Sequence, residues 1–135
     1  MQLALARIVV CDIHTGLLHA YPVVDKQAVH VVRCLQHFAG TRKIETVYSD
    51  NAPELLKSSE LMLITHETSQ PGVPHTNSKI ERCNQLIQGG VVTSLIEAGM
   101  PPCFWSYAAP CFCFNYNVQQ KGEASLEIHS LLVVW

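Results

Sequence analysis

Two segments carry most of the structural information in this sequence: YSDNAPE at residues 48–54 and PGVPHTNSKIERCN at residues 71–84. The first follows a short β-branched run, so it places Asp50 just past the carboxyl end of a predicted strand. Ligands of open α/β sheets tend to bind at that end. The second begins as a loop with Gly and Pro and continues into a helix that carries Glu81. We therefore expect two acids to approach each other, one from a strand end and one from a helix.

Around these segments, hydrophobic periodicity predicts alternating strands and helices. Strands are expected at 3–11, 17–24, 44–48 and 61–65, and helices at 26–39, 53–61, from 78 onward, and at 103–116. Asp25 and Ser78 are the predicted N-caps of the first and third helices, with Glu81 completing a capping box. Gly89 and Gly90 are expected to interrupt the third helix. This order indicates an α/β domain with a mixed sheet flanked by helices, followed by a tail at 119–135 without a clear pattern.

Composition sets broad limits on function. The chain has 135 residues, 48% of them hydrophobic and 15% charged, which favours one compact domain over a disordered segment. Its net charge of -2 means that any nucleic-acid binding must depend on local basic clusters. No apolar run reaches the roughly 18 residues of a membrane span, so no membrane contact is expected.

Six cysteines are present, and we expect reduced, packed thiols. No secretory signal is visible, which predicts an intracellular protein, nuclear or cytoplasmic, in which disulfides are rare. Cys111 and Cys113 are separated by one residue, which is not the spacing of a zinc knuckle.

Asp50 and Glu81 together have the chemistry of a divalent-cation site. Mg²⁺ prefers hard carboxylate oxygens and keeps several waters. Two-metal phosphoryl transfer normally requires three or more carboxylates, so two acids are an incomplete set. The alternative for Asp50 is a turn or cap residue ahead of Pro53, and the alternative for Glu81 is the capping-box partner of Ser78, a role that can coexist with metal binding.

Three ordered blocks resemble the integrase catalytic cores of retroviruses and copia-type retrotransposons. SDNAPEL resembles the family's SDN-G-x-E-F block, and SQPGVPHTNSKIERCN resembles its P-x-x-P-Q-x-N-G-x-x-E-R-x-N block. SLIEAGMPPCFWSYAAPCFCFNYNV, at residues 94–118, resembles the segment downstream of the second block in copia-type elements. The resemblance covers about residues 7 to 118, so a core-like domain at 1–118 and a divergent tail at 119–135 are expected.

The resemblance implies a ribonuclease H-like fold and a site with two Asp and one Glu for polynucleotidyl transfer. Asp50 matches the second acid and Glu81 the third, as catalytic residues and ligands of Mg²⁺ or Mn²⁺. The implied partner is DNA, both element ends and target, and a homo-oligomer is compatible with the family. The residues implied to contact nucleic acid are Asn51, His75, Asn77, Lys79 and Arg82. His75 and Ser78 stand where the family often has Gln and Gly, which stiffens the loop.

The first acid has no match. In the family it lies on a first strand upstream of the hairpin, whereas Asp12, the only early acid, ends what matches the second strand. We therefore expect the first strand to be missing, Asp12 to be a hairpin residue, and catalysis to be impaired. Three interpretations remain open: an integrase-type core, a catalytically inactive relic or domesticated interaction module, and another ribonuclease H-like nuclease, which the 94–118 block disfavours.

Overall fold

The computed structural model describes residues 4, 6–49, 52–68, 74–119 and 127–134. These residues form five strands and four α-helices. In chain order they are β1 (Ala6–Asp12), β2 (Leu18–Val23), α1 (Ala28–Ala39), β3 (Lys43–Ser49), α2 (Pro53–Met62), β4 (Thr65–Thr68), α3 (Pro74–Glu97), α4 (Trp105–Gln119) and β5 (Glu127–Val134), with a short 3₁₀ turn at Pro102–Phe104 before α4.

The strands form one mixed sheet in the order β2-β1-β5-β3-β4. β1 pairs antiparallel with β2 and with β5, whereas β3 pairs parallel with β4 and with β5. β5 therefore joins the amino-terminal hairpin to the parallel β3–β4 unit. The predicted mixed α/β sheet flanked by helices is confirmed.

Alternation along β1 divides the core into two halves. Ile8 and Val10 are buried in one cluster with residues of α1 and α2, and Val9 and Cys11 are buried in another with residues of α3 and α4. Successive side chains of a strand point to opposite faces, so the sheet is covered by α1 and α2 on one side and by α3 and α4 on the other. We call these the α1–α2 face and the α3–α4 face.

Several predicted boundaries are wrong. α2 runs to Met62 and ends at Leu63 in the left-handed conformation (φ 56°), so the strand expected at 61–65 starts only at Thr65. The apolar run LMLI fits a helix end as well as a strand by hydrophobicity alone.

α3 also differs from its prediction. It starts at Pro74 instead of Ser78, because Pro is favoured in the first turn of a helix, and Ser78 is therefore an interior residue and no N-cap. It continues unbroken through Gly89 and Gly90. α1 is preceded by Gln27 as its N-cap in place of Asp25, whose carboxylate instead contacts His30.

Candidate active site

Of the two predicted acids, Glu81 belongs to the described residues and Asp50 does not. β3 ends at Ser49, and Asp50 and Asn51, the next two residues of the sequence, lie outside the described residues. His75 and Asn77 belong to the first turn of α3, where only the backbone is described. Their predicted roles stay predictions.

Glu81, Lys79 and Arg82 lie on α3 with exposed side chains. Because the helix begins at Pro74, Glu81 is about two turns inside it rather than in its first turn. An exposed carboxylate flanked by two exposed cations is accessible to a metal ion and to a phosphate backbone.

α3 reaches the sheet through an apolar stripe. Ile87 and Val91 are buried in one cluster with Val9 and Cys11 of β1. Cys83, half-buried, packs against the same cluster. α3 therefore packs on the α3–α4 face from Cys83 onward, and Cys83 is two residues after Glu81.

The thiols of Cys11 and Cys83 have unequal acidity. The neighbouring Cys11 thiol favours the thiolate form of Cys83 and lowers the pKa of Cys83 to about 7. The Cys83 thiol, together with burial, raises the pKa of the Cys11 thiol far above its ordinary value.

A Ser–His contact at the end of β3 was not found from the sequence. Ser49 is fully buried, and its Oγ is hydrogen-bonded to Nε2 of His66 on β4. Tyr48 is paired with Glu67 in the β3–β4 ladder, and the neighbouring Glu67 carboxylate raises the pKa of the Tyr48 hydroxyl. The residue before Asp50 is thus fixed by a side chain 17 positions away. The predicted strand at 61–65 did not include His66, so no local pattern indicated this contact.

Asn84 is a second residue that the site prediction omitted. Its Oδ1 is buried and has no hydrogen-bond partner within the described part of the chain. Asn84 is three residues after Glu81 and is the last residue of the segment at 71–84. Its membership of that segment was the one feature of the sequence that could have indicated it. A buried amide oxygen without a partner is costly, and Asn84 lies on the same helix as Glu81.

Asp12 is a turn residue, as expected. Its Oδ1 accepts hydrogen bonds from the backbone N–H groups of His14 (3.0 Å) and Thr15 (3.5 Å), which closes the β1–β2 hairpin. It pairs with Leu131 of β5, a residue of the α1–α2 face, whereas α3 covers the opposite face. Asp12 therefore does not share a face with Glu81.

β5 occupies the position next to β3 and supplies no acid there. Its only acid, Glu127, pairs with Lys43 at the start of β3. The residue paired with Tyr48, near the end of β3, is Leu132. Among the residues that the structure describes, no three His, Cys, Asp or Glu side chains form a cluster suited to a metal ion.

No protein-family model matches this sequence, and no curated protein matches it significantly. Solved structures do share its fold. The catalytic core domain of BIV integrase superposes with a TM-score of 0.64 at 18% identity, over 86% of this chain and 78% of that one. The HTLV-2 integrase catalytic core domain, solved with magnesium in a trimeric form, has a TM-score of 0.64 at 17% identity, over 89% of this chain and 78% of that one. The chain therefore has the fold of retroviral integrase catalytic cores. Within the described ranges, no helix is long and apolar enough to cross a membrane.

Proposed function

We propose that this chain is the catalytic-core domain of a transposable-element integrase in which strand transfer is weak or absent. One observation carries this proposal: β5, the strand that lies between β1 and β3 in the sheet, has no acidic residue beside the end of β3. The fold supports an integrase-like domain, and the resemblance of residues 48–54 and 71–84 supports the assignment of Asp50 and Glu81.

In the proposed mechanism Asp50 and Glu81 hold a divalent cation, Mg²⁺ or Mn²⁺. When bound, the cation would lower the pKa of a coordinated nucleophile and stabilise charge on the scissile phosphate. Lys79 and Arg82, on either side of Glu81, would position the DNA backbone by phosphate contacts that carry no sequence information. Ser49, held by His66, would fix the backbone that leads into Asp50. Asn51, His75 and Asn77 remain proposed DNA contacts.

The test is cation binding. Titration of the full chain with Mn²⁺, followed by calorimetry, should show one weak site that is lost in Asp50→Asn and in Glu81→Gln. Glu97→Gln is the matched control, because Glu97 is an exposed acid at the other end of the same helix. Equal Mn²⁺ affinity in all four proteins would remove the assigned site.

DNA binding is tested separately. Lys79→Ala and Arg82→Ala should each weaken binding to branched DNA and reduce the salt dependence of the affinity by about one phosphate contact. Lys57→Ala, on α2, serves as the control cation, because α2 covers the opposite face of the sheet from α3. Robust strand transfer that survives Asp50→Asn would contradict the proposed mechanism.

The second candidate is a catalytically inactive interaction module, and the same acid-free strand favours it. Such a module binds nucleic acid or protein without a metal requirement. It predicts DNA binding that is unchanged by Mn²⁺ and by Glu81→Gln, and a calorimetric titration without a Mn²⁺ site that depends on Asp50 or Glu81.

A further inference from the structure

Two histidines and a tyrosine meet where the edge strand β2 packs against α1. His19 and Tyr21 are on β2, and the centroids of their rings are 4.4 Å apart. The Tyr21 hydroxyl is hydrogen-bonded to Nδ1 of His37 on α1 at 2.9 Å, and these two rings meet edge to face. The His37 ring centroid is 6.2 Å from that of His19. The three side chains therefore form one contact between the hairpin and the helix, which the proposed function does not use.

We propose that His19, Tyr21 and His37 form an acid-sensitive joint, which holds β2 against α1 at neutral pH and loosens in mild acid. His37 is exposed, whereas His19 is half-buried, so a charge on His19 lies partly out of water. A protonated His37 still donates its Nδ1–H to the Tyr21 oxygen, because both ring nitrogens of an imidazolium are donors. A second proton, on His19, places two positive charges at the same contact and opposes it.

The helix and the strand that make this contact offer no carboxylate to it. The sequences LHAYPV of β2 and AVHVVRCLQHFA of α1 contain no Asp or Glu. Arg33, one turn before His37, is exposed and adds a positive charge to the helix, and His30, two turns before His37, has its own aspartate partner ahead of the helix (3.0 Å). Cys34 is buried and is one of six cysteines that are all free thiols. Burial, and next Cys34, raises the pKa of the Tyr21 hydroxyl, so Tyr21 stays neutral in mild acid.

The other elements packed on β2 also leave the positive charges without compensation. On β1 the residue paired with His19 is Val10, and Arg7 is paired with Pro22. The acid of β1, Asp12, accepts hydrogen bonds from backbone N–H groups of the hairpin turn. α4, on the other face of β2, contains no Asp, Glu, Lys, Arg or His. Protonation of His19 is therefore opposed by its surroundings on every described side.

The direction of the pH effect follows from His19. Burial, and next the neighbouring His37, lowers the pKa of His19 below its ordinary value of 6.5. Above about pH 6.5 the side chain is neutral in the folded and the unfolded chain, and the full stability is present. Below that pH the unfolded chain binds a proton that the folded chain resists, so acid weakens the contact and favours unfolding.

The experiment uses the full chain and begins with an NMR titration of its histidine rings. The range is about pH 5.5 to 8, in which ordinary Asp and Glu carboxyls stay ionised. We expect His19 to titrate below 6.5 in the parent chain and closer to 6.5 in His37→Gln, which removes the neighbouring charge. The nuclear Overhauser contact between the Tyr21 and His37 rings should be strong at neutral pH and weakened at the acid end, at a temperature where the chain is still folded.

Thermal unfolding then measures the effect on stability. The Tm of the parent should fall by a few degrees across the same range as the pH is lowered, and the Tm of His19→Gln should fall less. His14→Gln is the matched control, because His14 is an exposed histidine in the turn between β1 and β2. It should retain the fall seen in the parent.

Three results would overturn the proposal: titration of His19 at or above 6.5, an equal fall in Tm in the parent and in His19→Gln, or an undiminished contact between Tyr21 and His37 in acid. The first and third are measured on the parent chain, so they decide the matter even where His19→Gln does not fold. None of these measurements requires DNA or a metal. A failure of this proposal is thus distinguishable from a failure of the proposed function.

Discussion

At Gly90 helices α3 and α4 pack without room for a side chain. A Cβ placed on Gly90 would collide with the ring of Phe112, whereas a Cβ on the neighbouring Gly89 would meet nothing. The pair that the sequence suggested as a helix break therefore contains one glycine required for a close helix contact and one that is not. Helix propensity and packing act in opposite directions at adjacent positions.

This contrast gives a matched prediction. Gly89→Ala should stabilise the protein by about 0.5–1 kcal/mol, because alanine loses less backbone entropy in a helix. Gly90→Ala should destabilise it by about 1–3 kcal/mol, because the ring of Phe112 must move to admit the methyl group. Urea denaturation of the two variants measures both. Equal stabilisation by the two substitutions would show that the helices separate freely.

Asn117 of α4 closes one edge of the sheet. Its Oδ1 accepts a hydrogen bond from the backbone N–H of Leu18 (3.0 Å), and its Nδ2 donates to the Leu18 carbonyl (2.6 Å). β2 is an edge strand, and such edges carry unpaired backbone groups unless something covers them. The Asn117 side chain thus makes, at Leu18, the two backbone hydrogen bonds that a neighbouring strand would otherwise make.

Asn117→Ala should therefore lower the free energy of unfolding by about 1–3 kcal/mol, since two partly buried backbone groups lose their partners. Asn117→Asp should also destabilise, because a carboxylate accepts from Leu18 N–H but cannot donate to its carbonyl. The control is Asn115→Ala, which removes an exposed amide whose contact is with the Cys111 sulfur. Chemical denaturation that ranks Asn115→Ala with the other two would contradict the edge-closing role.

At the scale of elements, β5 is the piece on which the sheet depends. It pairs with both β1 and β3, and the strand order gives those two strands no direct contact with each other. Leu131 and Val133 of β5 are fully buried in the cluster on the α1–α2 face. Loss of β5 would divide the sheet into a hairpin and a parallel pair, neither of which is expected to be stable alone.

Leu131→Ala should accordingly cost about 2–5 kcal/mol, the range for large-to-small changes in a packed core. Leu63→Ala is the control, because Leu63 is 94% exposed and its removal leaves no cavity. Thermal or urea unfolding of the two variants tests whether β5 is integral to the core. A cost below about 0.5 kcal/mol for Leu131→Ala would mean that β5 is dispensable.

The sequence predicted those elements whose signals are local. The strand β1, the hairpin turn at Asp12, the helix α1 and its end at Gly40 all follow from apolar periodicity and turn chemistry within a few residues. β5 could not be placed in this way, because both of its partner strands lie far upstream and strand pairing is decided by distant residues. The same reason explains why the Ser49–His66 contact was missed.

At the scale of the whole molecule, the fold places α3, which carries Glu81, over the face of the sheet to which Tyr48 of β3 belongs. Tyr48 and Cys11, the residues that flank Leu132 in the ladder, both pack on the α3–α4 face, which α3 covers. Asp12 lies in a row with Leu131 of the opposite face. Under the proposed function, the site therefore lacks a third carboxylate because β5 has no acid beside the end of β3, and not because α3 is on the wrong face of the sheet.

This limit can be tested by adding an acid to β5. Val134 is two residues beyond Leu132, as Asp50 is two beyond Tyr48 in the sequence, and Val134 pairs with Val9 of the α3–α4 face. Under the proposed function, Val134→Asp should tighten Mn²⁺ binding by roughly tenfold, because affinity for hard cations rises with the number of carboxylate ligands. Val134→Asn keeps the shape without the charge and should leave the affinity at the parent value. Calorimetric titration with Mn²⁺ measures both variants. Equal Mn²⁺ affinities of Val134→Asp and Val134→Asn would place the cation elsewhere. A gain in affinity that is lost when Glu81→Gln is added to Val134→Asp would show that β5 and α3 contribute to one site.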